Sequence, residues 1–350
     1  MKPVVFSIRY SVLSQTMGVE IRKNADLHEY KRRLFDPHRM AVHHTLFERL
    51  TIPSLARQDH SDNAISVCVM TSTEMPEDQL QRLQKTLAPL PWARIVPVSP
   101  DEAIPHARCM AEHMDQLGIS GSYAHVRLDD DDAVSDDFCN QLRQYIRPEL
   151  AGYGVSFVEG FFALYDSRTT EFLALAKKRY PMNSVGLAVI GNYDPASSAP
   201  PIDVFSLGVH TRIDQSVPTI LDGRFPSYIR TLYSEQDTAS RSGMGKEPAS
   251  TEELLKHFSA VDLPLPTFED SQRLVAERNA PKPVKVNPEK ADAKPKKQQV
   301  PSEVVEAAVA AERKKWQERQ ARTIKNYENS TSWKITGPLR TLRALMKKRG

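Results

Sequence analysis

Short β-branched runs alternate along the first two thirds of this chain with stretches whose apolar residues recur at helical spacing. Residues 3–8 (PVVFSI) read as a first buried strand. Leu46, Phe47, Leu50 and Leu55 then recur at roughly helical spacing, in a first helix over 40–57 that Pro53 is expected to kink or end. The run 65–70 (ISVCVM) is continuous and β-branched, as in a strand covered on both faces. Pro76 suits the first turn of a helix whose stripe is Leu80, Leu83 and Leu87. Strand 94–98 (RIVPV) contains Pro97, which marks an edge or a frayed end. A helix over about 105–117 closes at Gly118. Strand 123–128 (YAHVRL) then runs straight into four aspartates, after which Ser135 is placed to cap a helix burying Phe138, Leu142 and Ile146. Apolar runs at 155–158, 161–164 and 185–190 predict further strands, with a helix across 169–178 between them. Strands alternating with helices predict an α/β domain with a mainly parallel sheet and flanking helices, packed over about 1–240.

Beyond that domain the pattern fades. Residues 241–300 read as an irregular segment ending in a Pro- and Lys-rich linker (280–300) with almost nothing to bury. Residues 301–330 are rich in Ala, Glu, Arg and Lys and predict an exposed charged helix, a candidate for self-association. In 331–350, Leu339, Leu342, Leu345 and Met346 fall on one helical face, and Arg340, Arg343, Lys347 and Lys348 line the rest. With Trp333 upstream, this basic amphipathic tail fits contact with a membrane surface, or docking on a partner protein or on the domain itself.

Composition narrows the class. The 350 residues are 40% hydrophobic and 26% charged, enough for a sizeable core. A net charge of +3 does not by itself imply nucleic acid, and the tail lacks the interleaved aromatics such binding uses. Three cysteines without metal spacing indicate reduced thiols and a cytoplasmic protein. The opening MKPVVFSIRYSVLSQ lacks a secretory apolar core, and no run approaches the ~18 apolar residues of a membrane span. The expected location is cytoplasmic, with the tail able to hold the protein at the inner face of the membrane.

The stretch 125–134 (HVRLDDDDAV) carries the chemistry. Along extended backbone, Asp129 and Asp131 point one way and Asp130 and Asp132 the other. Paired carboxylates at the carboxyl end of a buried strand make a hard-oxygen site for Mg²⁺ or Mn²⁺ shared with a substrate diphosphate. An acidic turn leading into a helix is the plain alternative. Arg127 shares the face of Asp129 and supports it by charge. The pair His43 and His44 lacks a partner at ligand spacing and reads as structural, and Gly186 and Gly191 read as strand-end turns or points of close approach.

An apolar strand ending in RLDDDDAV resembles the Asp-x-Asp motif of GT-A-fold glycosyltransferases, which use nucleotide sugars. More particularly it is similar to the bacterial "putative rhamnosyltransferase" family. FSIRYSV with Arg9 and Tyr10, and LFERLTIPSLARQ at 46–58, resemble the first nucleotide-side loop and the following helix of that family. The likeness covers about 1–235 and implies a GT-A-like, Rossmann-like fold. It implies transfer of a sugar, plausibly rhamnose from dTDP-rhamnose, from a nucleoside-diphosphate donor to a cell-surface glycan or lipid-linked acceptor. Asp129 and Asp131 would hold the metal and His210 would complete its shell. Arg9, Tyr10, Arg127, Asp129 and Asp130 would meet the donor. Glu159 or Asp203 would take the acceptor's proton. The competing reading is a non-catalytic scaffold of a polysaccharide-assembly complex.

Overall fold

The computed structural model describes residues 1–14, 26–233 and 243–280. One compact unit covers Met1–Pro281. The predicted linker from 281 on, the charged helix and the basic tail lie outside the described residues. Among those described, no helix is long and apolar enough to cross a membrane.

The first half of the unit follows the expected strand and helix order. Strands β1 (Val4–Arg9), β2 (Ile65–Ser72), β3 (Ala93–Val98) and β4 (Gly121–Asp129) pair in parallel in the order β3-β2-β1-β4. Every residue of β2 is buried, because cores lie on both of its faces. Pro97 sits on β3, which pairs only with β2, so its missing N–H disturbs no second ladder. Helices α4 (Glu77–Leu87) and α5 (His106–Gln116) connect these strands, and Gly118 ends α5 at φ +62°.

Pro53 does not end its helix. α2 (Pro37–Leu46) passes through one π turn, Phe47–Thr51, with the Ile52 N–H on the Phe47 carbonyl, and resumes as α3 (Ile52–Ala56). The wider turn admits a residue without an N–H, and it carries Thr51 toward the end of β4. A short helix, α1 (Leu27–Leu34), precedes α2.

The second half is antiparallel where it extends the first. β6 (Gly154–Asp166) merges two predicted strands, and β8 (Leu187–Tyr193) lies between β6 and β4. Residues 169–178, expected as a helix, form β7 (Glu171–Arg179), paired antiparallel with β6 through a turn at Thr170. Ala, Leu and Lys favour a helix locally, but the hairpin buries Phe172 and Leu175 in one core and Ala174 and Ala176 in another. β9 (Thr219–Leu232) runs parallel to β6 and also pairs β5 (Ala133–Val134). Ser135 does not cap its helix: α6 starts at Phe138 and runs to Arg143, and the buried Ser135 hydroxyl has no partner. Phe138, Leu142 and Ile146 are nevertheless in the core.

The packed unit outruns the expected boundary at 240. After β10 (Glu247–Pro248) and α7 (Thr251–Leu255), α8 (Phe268–Asn279) lies along β7. The Leu175 N–H donates to Ser271 Oγ at 3.1 Å, and Val275 enters the core. Gly191 lies within β8 rather than at a turn, and the close approach there is made by a side chain of the fold. It faces Tyr123 across the β4–β8 ladder, and a Cβ there would stand 2.1 Å from that ring. Gly186 holds φ +71°, and a Cβ there would press on Phe138 at 2.6 Å. Gly191→Ala is expected to lower unfolding free energy by about 1–3 kcal/mol through overpacking. An unchanged midpoint in chemical denaturation would contradict this account of the β4–β8 contact.

Candidate active site

The site begins where β4 stops being a strand. Parallel register sets Arg9 beside Asp129, and the Arg9 guanidinium approaches the Asp129 carboxylate at 3.5 Å. Arg127, on the same face of β4, reaches both Asp129 oxygens at 3.3 Å. Burial alone would raise the Asp129 carboxyl; Arg127 and then Arg9 outweigh it and hold the group well below the usual range. Both guanidiniums stand over the Phe205 ring, at 5.1 and 5.4 Å, and His106 stacks on that ring at 3.9 Å.

At Asp130 the backbone turns, so the period of two ends there. Asp130 and Asp131, expected on opposite sides, are brought to the same imidazole. His43 Nδ1 lies 3.1 Å from Asp130 Oδ2, and its Nε2 lies 3.1 Å from the Tyr233 hydroxyl. Tyr233 in turn donates to Asp131 Oδ2 at 2.8 Å. Asp132 accepts the Thr231 N–H at 2.9 Å, and Thr51 from the π turn donates to the carbonyls of Asp130 and Asp132. One ligand atom each from His43, Asp130 and Asp131 lies within 4.8 Å of the others, and all three residues are buried.

Three adjacent carboxyls in so small a space repel one another. Asp131 is pushed up to about 6, by burial first and then by the charge of Asp130. Asp132 is raised well above its ordinary value, by burial and then by Asp131. Burial, then Asp131 and Asp130, likewise raises the Tyr233 phenol. A small divalent cation fits this donor set. Two ligands at right angles around an ion with bonds of about 2.1 Å stand roughly 3 Å apart, close to the separation of His43 Nδ1 from Asp130. The two carboxylates suit a hard cation such as Mg²⁺ or Mn²⁺, and the imidazole draws the set toward a transition metal.

The other expected site residues are placed as follows. Asp129 is held by arginines and stands apart from the His43 group. His210 donates to or accepts nothing in that group; its Nδ1 bonds the Met182 carbonyl at 2.7 Å. Burial, then Arg127, lowers its affinity for a proton, which sets it beside the arginines. Tyr10 is fully buried, its hydroxyl on His44 Nδ1 at 2.9 Å and its ring on Phe47, so it presents no face on which a nucleotide base can stack. Glu159 pairs with Arg179 at 2.7 Å. Asp203 accepts the N–H groups of Phe205 and Ser206 at 2.9 and 3.0 Å and builds the turn that presents Phe205. Of the two histidines read as structural, His44 is so: burial lowers it to about 4, and it bonds Tyr10 and Thr86. His43 is not. Its acidic partner lies 87 residues away, and the one available signal was an imidazole on the helix preceding an acidic strand end.

Carboxylates thus gather at the rim of an α/β sheet, beside a strand end lined with cations. Residues 4–246 match the family described as "Putative rhamnosyl transferase", and the chain belongs to that family. Among curated proteins nothing matches at a significant level. Similar solved structures include a mannosyltransferase, PcManGT from Pyrobaculum calidifontis, in complex with GDP-Man and Mn²⁺. It is 12% identical over 69% of this chain and 59% of its own, with a TM-score of 0.32. S. aureus TarS 1-349 in complex with UDP-GlcNAc is 13% identical over 79% of this chain and 66% of its own, at a TM-score of 0.31. The chain thus spans less than two thirds of the mannosyltransferase's length.

A cation in this site competes with a proton. For Asp131, folded at about 6 against an ordinary 3.8, the proton's contribution to stability is full below 3.8 and is lost as pH rises through about 6. Mn²⁺ binding should therefore weaken by up to about tenfold for each pH unit below 6. Thermal shifts with Mn²⁺ at a series of pH values check this; a shift of equal size on both sides of 6 would contradict it.

Proposed function

We propose that this protein transfers a sugar from a nucleoside-diphosphate donor to a hydroxyl of a glycan or lipid-linked acceptor, with Mn²⁺ or Mg²⁺ held by His43, Asp130 and Asp131. The grouping of those three side chains around one point carries the reading. When bound, the cation would stabilise negative charge on the departing nucleoside diphosphate as a Lewis acid. The family's description supports rhamnose as the sugar; dTDP-rhamnose is the donor assigned to it in this reading.

The chain's own residues supply the rest. Tyr233 bridges His43 and Asp131 and fixes both for ligation, as outer hydrogen bonds do around metal sites. Thr51 ties down the turn from below. Arg9 and Arg127, kept in place by Phe205 and Asp129, offer cationic faces to the donor. Of the two candidate bases, Asp203 is committed to its turn, whereas Glu159 keeps a partly open carboxylate with a single arginine partner. Glu159 is therefore assigned the acceptor's proton. Glu159→Gln should lower turnover by about 10²-fold or more while donor affinity stays within a few-fold.

Asp131→Asn gives the sharper test. At neutral pH the charged Asp131 costs the fold on the order of 3 kcal/mol, from a shift of about two units. Asparagine can still accept from Tyr233. The variant should melt at or above the wild-type temperature without metal, fail to respond to Mn²⁺, and lose sugar transfer and donor hydrolysis. His43→Ala should also lose the Mn²⁺ response. Turnover retained by either variant would rule out this metal site.

A further inference from the structure

Arg230 is the most anomalous cation in the described structure. It is only 8% exposed, and its Nε and Nη1 are enclosed without a hydrogen-bond partner. Among the described residues no ion pair reaches it: Asp129 is taken by Arg9 and Arg127, and Asp132 by the Thr231 N–H, so both act on Arg230 only through space. A guanidinium taken from water without a partner is costly, and an anion held beside it offsets that cost.

Neighbouring strands give it company. The register places Arg230 opposite Phe162, and Lys178 opposite Gly160, on the two sides of β6. The Lys178 ammonium stands 4.3 Å from the Phe162 ring centre and 5.4 Å from that of Tyr180; Arg230 lies 5.9 and 5.8 Å from the same two rings. Lys178 donates to the Gly243 carbonyl and has no acidic partner among the described residues. Burial, then Arg230, lowers its hold on its proton. Two cations thus share two aromatic rings with no anion between them, and Tyr180 is only partly buried.

We propose that Arg230 and Lys178, with the Tyr180 ring, bind a phosphate group carried by the acceptor. The proposal rests on the glycosyl-transfer reading and deepens it. The donor is assigned to the ends of β1 and β4 and to the His43 group, whereas Arg230, Lys178 and Tyr180 belong to β9, β7 and the segment after it, in the other half of the sheet. Arg230 gives a phosphate the two N–H donors of Nη2, the nitrogen not enclosed, Lys178 a point charge, and Tyr180 a flat face for an adjoining sugar ring or hydrocarbon. A lipid phosphate and a phosphate within a glycan share this chemistry.

The test uses the full chain without metal or nucleotide, titrated with inorganic phosphate and with geranyl phosphate at constant ionic strength. Binding of Mn²⁺ with dTDP is measured separately, so that failure of the donor reading is seen independently. Wild type should bind both phosphates. Arg230→Met and Lys178→Met should each weaken them by roughly tenfold or more, as loss of a charge-assisted hydrogen bond does, while Mn²⁺–dTDP binding persists. Tighter binding of geranyl phosphate supports a lipid-linked acceptor, and equal binding supports a phosphate of a glycan. Absence of phosphate binding in wild type, or unchanged binding in both variants, overturns the proposal. Parallel loss of phosphate and Mn²⁺–dTDP binding in Arg230→Met also overturns it, by moving Arg230 to the donor side. If Arg230→Met does not fold, Arg230→Lys and Lys178→Met decide: Arg230→Lys keeps the charge but loses the paired donors and should weaken phosphate at least several-fold.

Discussion

Carboxylates cannot be withdrawn from water side by side unless something positive meets them, and the end of β4 is organised around that constraint. Asp129 meets Arg9 and Arg127. Asp130 meets the His43 imidazole, Asp131 the Tyr233 hydroxyl, and Asp132 a backbone N–H. These partners hold the acids in place, but burial first, and then the charge of the neighbouring aspartate, raises Asp131 and Asp132 above the ordinary carboxylate range. In the proposed function a divalent cation completes this site and the donor's diphosphate balances the cation.

The supporting structure is built to keep this turn from relaxing. A π turn before Pro53 brings Thr51 under the aspartates. The end of β9 carries Thr231 and leads to Tyr233, and β5 pairs with the same strand just past the turn. Helix, hairpin and strand therefore converge on four consecutive residues. On the open side, the Asp203 turn delivers Phe205, which is sandwiched between His106 and two guanidiniums and limits where those guanidiniums can go. Such fixed charge is what a site needs if it is not to reorganise during reaction.

The two halves of the sheet also divide the charge. The parallel half ends in arginines already neutralised in part by Asp129, while the antiparallel half carries Arg230 and Lys178 with no carboxylate in contact. Family membership covers residues 4–246, and α8 adds packing on the outer edge beyond that span.

Sequence alone determined the parallel half of the fold, because buried β-branched runs and helical stripes are local signals that the core then satisfied at β1, β2, β4, α4 and α5. It also pointed to the four acids at the end of β4, two of which the fold gathers with His43 and Tyr233. Tertiary structure decided what local pattern could not. Residues 171–179 became a strand because β6 offered a partner. Asp130 replaced Asp129 beside Asp131 because the strand ends one residue earlier than strict alternation requires. His43 and Tyr233 joined the site from 87 and 102 residues away in sequence, and only folding brings such distant groups to one point.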